Sequence, residues 1–162
     1  MAPIVTSIDV ARPPEEVFGY VIDPSRFVEW QEGVASGRME RDGPHGVGSR
    51  CITTRHIGGG ERASTQEITE FDPPRTWADH GIYGPIRARV KVTVEPLDAG
   101  ATSRVTICLD FEGHGIGKLL VPLIVRRQAH KEMPANCQRL KQRLEARGSD
   151  SAGAPRLSPE QS

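Results

Sequence analysis

Between Leu119 and Leu144 apolar side chains recur every three or four residues: Leu119, Leu123, Met133, Cys137, Leu140 and Leu144 fall close to one stripe, and Lys131, Arg139, Lys141 and Arg143 lie elsewhere. This periodicity predicts one long amphipathic helix, whose stripe must be buried against something. At ~1.5 Å per residue, about 28 to 30 residues give a rod of roughly 40 to 45 Å, about the width of a sheet. Pro134 sits inside the pattern, where it should remove one backbone hydrogen bond and kink the rod. The only partner the rest of the chain offers a rod of that length is a sheet.

Strand periodicity begins at Ile4, where Ile4, Ile8 and Val10 share one parity. The segment RPPEEVFGYVIDP then changes period. Pro13 and Pro14 pre-set a first helical turn, Glu15 and Glu16 suit its positive end, and Val17, Phe18, Val21 and Ile22 form an apolar stripe. Asp23 caps a second short helix that contains Phe27, Val28 and Trp30, so two short helices meet at a corner. Six further alternating segments follow: VASGRMER, VGSRCITTRHI, RASTQEITEF, RTWADHGIY, IRARVKVTVEP and TSRVTICLDFE. Turn residues separate them, and short connections make consecutive strands antiparallel neighbours. With the first strand the sheet has seven, and the order places the chain in the α+β class with its helices on one side of a curved sheet. Curvature under a long helix leaves an apolar cavity. Residues 1–147 form one domain; the tail 148–162, GSDSAGAPRLSPEQS, has almost no apolar side chains and is expected to be disordered.

Composition excludes several classes. With 21 basic and 21 acidic residues in 162, no overall positive field would gather nucleic acid. No apolar run is long enough for a membrane helix, so no stable insertion is expected. The opening MAPIVTSIDV lacks a secretory pattern, and Cys51, Cys108 and Cys137 are too few for a disulfide framework, which predicts a reducing cytoplasm. The five histidines and three cysteines show no ligand spacing, and Gly58–Gly60 joins two strands rather than opening a helix. The sequence therefore predicts no metal, no phosphate loop and no cofactor.

Taken in order, RPPEEVFGYVIDPSRFVEWQ, GVGSR, ITEFDPPRTW, GP before an alternating strand, and PLIVRRQAHKEMPANCQRLKQRLE resemble the START-like (SRPBCC) superfamily, in its polyketide cyclase/dehydrase branch. The resemblance spans about residues 3 to 146. It implies a helix-grip fold around a hydrophobic tunnel, and members that range from aromatic polyketide cyclases to lipid carriers. It transfers no catalytic set.

Strand parity proposes the lining. On the strand from Arg75, Trp77, Asp79 and Tyr83 share one face and His80 takes the other. The resemblance favours the Trp77 face as interior, which would put the Asp79 carboxyl and the Tyr83 phenol in an apolar pocket. Burial would raise the carboxyl's pKa and make it an acid, base or hydrogen-bond acceptor. The alternative is a carboxyl paired with an arginine or open to solvent at the mouth. On the neighbouring strand Cys51, Thr53 and Arg55 share a parity that the resemblance turns inward, with Arg55 near the rim, facing Asp79, an acidic ligand head or water. Gln66, on the parity of Ser64 and Ile68, is either a further lining amide or simple strand filler. On the long helix Arg126 and His130, four apart, either line the tunnel beside Leu123 and Met133 or form a solvated basic face with Arg127 and Lys131. Val90, Val92, Val94, Val105, Ile107, Leu109, Phe111 and Leu119 complete the apolar walls.

These expectations support binding or carriage of a hydrophobic or amphipathic small molecule by a monomer or homodimer. An enzyme of cyclase or dehydratase type would use Asp79 or His130 for proton transfer and Tyr83 to stabilise an enolate. A third reading is a non-catalytic module that meets another protein through the basic patch of its helix.

Overall fold

The computed structural model describes residues 2–57 and 59–152. In chain order the elements are β1 (Ile4–Val10), α1 (Pro14–Val21), a 3-10 turn (Pro24–Arg26) running into α2 (Phe27–Trp30), β2 (Val34–Met39), β3 (Arg50–Ile57), β4 (Gly60–Asp72), β5 (Thr76–Gly81), β6 (Ile86–Leu97) and β7 (Thr102–Gly113). Then come α3 (Gly117–Leu120), a π-helical turn (Val121–Val125) and α4 (Arg126–Ala152).

Local chemistry starts α1 and the 3-10 turn as the sequence suggests. Pro14 occupies the first turn of α1, Glu15 and Glu16 follow at its positive end, and the side chain of Asp23 accepts from the backbone N–H of Ser25 at 3.0 Å to cap the 3-10 turn. The seven strands form one curved antiparallel sheet in the order β1-β7-β6-β5-β4-β3-β2. One bulge sets the facing of β4. Ile68 pairs with Asp79 but Glu70 pairs with Ala78, so Thr69 is the extra residue and the parity flips across it. Ile68 and Phe71 therefore both reach the concave side, where Phe71 meets Trp77 edge-on at 6.0 Å and Phe18 at 6.3 Å between ring centroids.

The core lies between the concave face, α1 and the C-terminal half of α4. Val10, Val17, Val21, Val94, Val105, Leu140 and Leu144 are fully buried there. Each contributes about 1.5–3 kcal/mol by leaving water, so this half of the sheet–helix space is filled by the chain itself.

The long helix corrects the sequence in phase and extent. Its buried stripe is Arg126, Ala129, Met133, Cys137, Leu140 and Leu144. Leu119 and Leu123, expected on that stripe, are exposed instead. The cause is the π-helical turn Val121–Val125, which contains Pro122, a residue with no N–H to donate. A wider turn rotates everything before it out of phase with α4. α4 itself runs through Pro134, which faces solvent, without interruption, and it continues to Ala152 rather than ending at Arg147. The remainder of the expected tail, 153–162, and Gly58 of the β3–β4 turn lie outside the described residues.

Candidate functional site

The inward positions of three adjacent strands carry an unusual share of polar groups. Cys51, Thr53 and Arg55 come from β3, Gln66 from β4, and Trp77 and Asp79 from β5; all are buried except Arg55, which is half-buried. Register joins them: Cys51 pairs with Gln66, Gln66 with Gly81, Ile68 with Asp79, and Asp79 with Val90. At Gly81 the backbone of β6 comes close: a Cβ there would stand 3.3 Å from the Cα of Arg87, tighter than ordinary packing.

The polar atoms are only partly satisfied. The Trp77 indole N–H donates to Asp79 Oδ2 at 2.7 Å, while Asp79 Oδ1 is buried with no partner. Thr53 Oγ1 and Cys51 Sγ approach Gln66 Oε1 at 3.5 and 3.6 Å. Burial pushes the Asp79 carboxyl up to about 6, against the pull of the Trp77 hydrogen bond and of the His80 and Arg55 charges. Burial likewise pushes the Cys51 thiol up to about 12, with the Asp79 charge adding to it, and Cys137 up to about 11. Both thiols are therefore protonated and unreactive near neutrality.

Arg55 bridges the two sides of the space. Its guanidinium donates to Gln31 Oε1 at 2.7 Å, just after α2. Burial lowers its pKa, and the charges of Glu132 on α4 and Asp79 on β5 oppose that shift. Neither Gln31 nor Glu132 was singled out in the sequence. Glu132 lies next to Met133 at the edge of the buried stripe, and Gln31 ends the second short helix; only the fold brings them to Arg55.

Along β6 and β7 burial falls in one direction. Val94, Val92, Val105 and Ile107 are buried, whereas Val90, Ala88, Leu109 and Phe111, at inward positions further along the same strands, are half-buried. The chain thus fills its interior near Leu144 and leaves the concave face accessible near Phe111. Two surface depressions lie elsewhere. One of about 710 Å³ is lined by Asp23, Arg38 and His45 among others, and one of about 600 Å³ by Ser7, Asp9, Gln138 and Lys141 among others. Neither includes Asp79.

Three expected site residues are not at this face. Tyr83 is 64% exposed, because β5 stops at Gly81 and strict alternation ends with it. His130 is exposed, since the buried arc of α4 turns through Ala129 and Asn136 on the other side. Leu123 points outward for the phase reason given above. Arg126 is buried but committed elsewhere: it donates to Asp110 Oδ1 at 2.8 Å and to the carbonyl of Ala2, which ties the start of α4 to β7 and the N-terminal segment. Val92, Ile107 and Met133 are core, and Val90 and Leu109 border the accessible part.

Among the described residues no helix is long and apolar enough to cross a membrane. No curated protein matches the chain. Solved structures share its fold at low identity. The aromatase/cyclase Zhui from Streptomyces sp. R1128 superposes with a TM-score of 0.77 at 14% identity over 94% of this chain and 98% of its own. TTHA0849 from Thermus thermophilus gives 0.70 at 19% identity over 90% and 98%. The di-domain ARO/CYC BexL from the BE-7585A biosynthetic pathway gives 0.69 at 18% identity over 90% of this chain and 47% of that one. Over residues 1–145 the sequence matches the family model described as polyketide cyclase/dehydrase and lipid transport. With that match across nearly its whole length and the helix-grip architecture beneath it, the chain belongs to the polyketide cyclase/dehydrase and lipid transport family.

Proposed function

We propose that the chain binds a hydrophobic or amphipathic small molecule between α4 and the concave face of the sheet. The apolar part of the guest lies along Val90, Leu109 and Phe111, and its polar end meets Asp79 and Arg55. One observation carries this reading: Asp79 Oδ1 is buried, accepts no hydrogen bond, and stands where the inward side chains begin to be accessible. A buried acceptor left unpaired costs about 1–3 kcal/mol, which a donor on a guest would recover. The complementary group is a hydroxyl, which donates to Asp79 and accepts from Arg55. Apolar burial supplies the affinity, at about 2.5 kcal/mol per 100 Å². Thr53 and Gln66 fix orientation and Cys51 and Trp77 supply wall. We place this activity in the cytoplasm, in a monomer or homodimer.

A second reading has its own support. A carboxyl with a pKa of about 6 can take and return a proton near neutrality, and the Arg55 cation can stabilise an enolate oxygen, as a cyclase or dehydratase requires. With Tyr83 and His130 outside the site, those two groups carry the whole of that chemistry.

Native mass spectrometry of freshly purified protein tests the binding reading. We expect a small-molecule adduct that denaturation releases, or saturable uptake of an added long-chain alcohol, and weaker retention in Asp79→Asn. A bare chain that takes up no alcohol would contradict it. Multiple turnover of a poly-β-ketone substrate, abolished in Asp79→Asn, would favour the enzyme.

A further inference from the structure

We propose that the end of the molecule formed by α3, the π-helical turn and the first turns of α4 docks on an anionic lipid bilayer. Ile116, Leu119, Leu123 and Ile124 are each more than half exposed there. Four large aliphatic side chains on successive turns form a patch rather than scattered surface residues, and such patches mark contact surfaces.

The charge around the patch selects the partner. From Gly113 to Lys131 the chain has Lys118, Arg126, Arg127 and Lys131 and no aspartate or glutamate, in a protein whose net charge is zero. Arg126 is neutralised by Asp110. Lys118, Arg127 and Lys131 make no ion pair among the described residues. The nearby acids bear on other cations: Glu112 faces Arg89 and His114, and the charge of Glu132 acts on Arg55. Arg127 and Lys131, exposed one turn apart on α4, follow the exposed Leu123 and Ile124 along the chain, so the helix presents a greasy tip and then a basic collar. That order suits a bilayer, with aliphatic groups below the headgroups and cationic stems reaching up to phosphates. A second copy of the chain fits less well, because a two-fold contact would set the collar against its own charge.

The patch adjoins the accessible part of the interior. β7 ends at Gly113 and leads directly into α3, and Leu109 and Phe111 are the half-buried residues just before it. Docking would place that opening on the lipid, a use that rests on the binding reading above, whereas the docking itself does not.

Co-sedimentation with vesicles tests the proposal. One preparation is phosphatidylcholine alone and the other contains phosphatidylglycerol as a minor component. We expect binding to the mixed vesicles that weakens with salt and falls roughly tenfold or more in Arg127→Glu/Lys131→Glu. Leu123→Asp/Ile124→Asp, at exposed positions, should abolish binding while circular dichroism stays unchanged. The proposal is overturned if the native chain ignores mixed vesicles or if both variants bind as it does. It is also overturned if Leu123→Asp/Ile124→Asp dissociates a solution dimer, which would assign the patch to a second copy. Loss of guest retention with docking intact would count against the binding reading alone.

Discussion

Asp79 stands directly opposite Val90 in the β5–β6 ladder, within a cross-strand row that runs Ile4, Leu109, Val90, Asp79, Ile68. Its row-mates are all aliphatic, so a carboxyl occupies a position that the fold otherwise uses for packing. The Trp77 indole satisfies one of its oxygens, and the desolvation of the other accounts for the raised pKa.

That carboxyl gives stability a specific pH dependence. Its folded pKa is about 6 against an ordinary 3.8, so between those values the folded chain holds a proton that the unfolded chain has released. This group's contribution is therefore intact at low pH, falls as pH rises through 6 and stays lost above it. The gap corresponds to about 3 kcal/mol at most. Asp79→Asn should raise Tm at pH 8 relative to the native chain and leave little difference at pH 4. Asp9, Glu29 and Glu145, whose partners hold them below the carboxylate range, act in the opposite sense in both proteins and cancel in the comparison. A difference in Tm that does not change with pH would show that Asp79 is not desolvated.

The π-helical turn makes two leucines of one predicted stripe unequal. Leu140 is fully buried and Leu123 is 62% exposed. Leu140→Ala should cost about 2–5 kcal/mol and Leu123→Ala within about 0.5 kcal/mol in urea unfolding. Equal costs would restore the unbroken stripe.

Gly117 holds the start of α3 against the β5–β6 connection. A Cβ there would lie 1.9 Å from the carbonyl oxygen of Pro85, a backbone atom that cannot swing aside. Gly117→Ala should cost about 1–3 kcal/mol or more, whereas Gly46→Ala, with nothing within 4 Å, should be near neutral. Denaturant midpoints of the two variants check this, and matching midpoints would refute the close approach.

Much of this fold can be read from local chemistry, because alternation between short turns specifies strands whatever else the chain does. Parity puts Trp77 and Asp79 on one face and the family resemblance turns that face inward, but parity fails at Tyr83 because β5 ends two residues earlier, ahead of a turn in which Gly84 has a φ of 88°. The helix phase was legible only from Arg126 onward: Pro122 makes a wide turn that a constant period cannot represent. Arg126 lay on the stripe as read, but its tie to Asp110 joins a helix to a strand, a contact that no periodicity reports. The partners of Arg55, Gln31 on one side and the Glu132 charge on the other, are brought to it by tertiary folding and carry no local signal.

The indole N–H resonance of Trp77 tests the central claim most directly, since the chain has two tryptophans and Trp77→Phe assigns the signal. Titration with a long-chain alcohol should move that resonance saturably, at one equivalent per chain, as the hydroxyl reaches the carboxyl that the indole already holds. A Trp77 signal that stays fixed while the alcohol binds elsewhere, or not at all, would contradict the account.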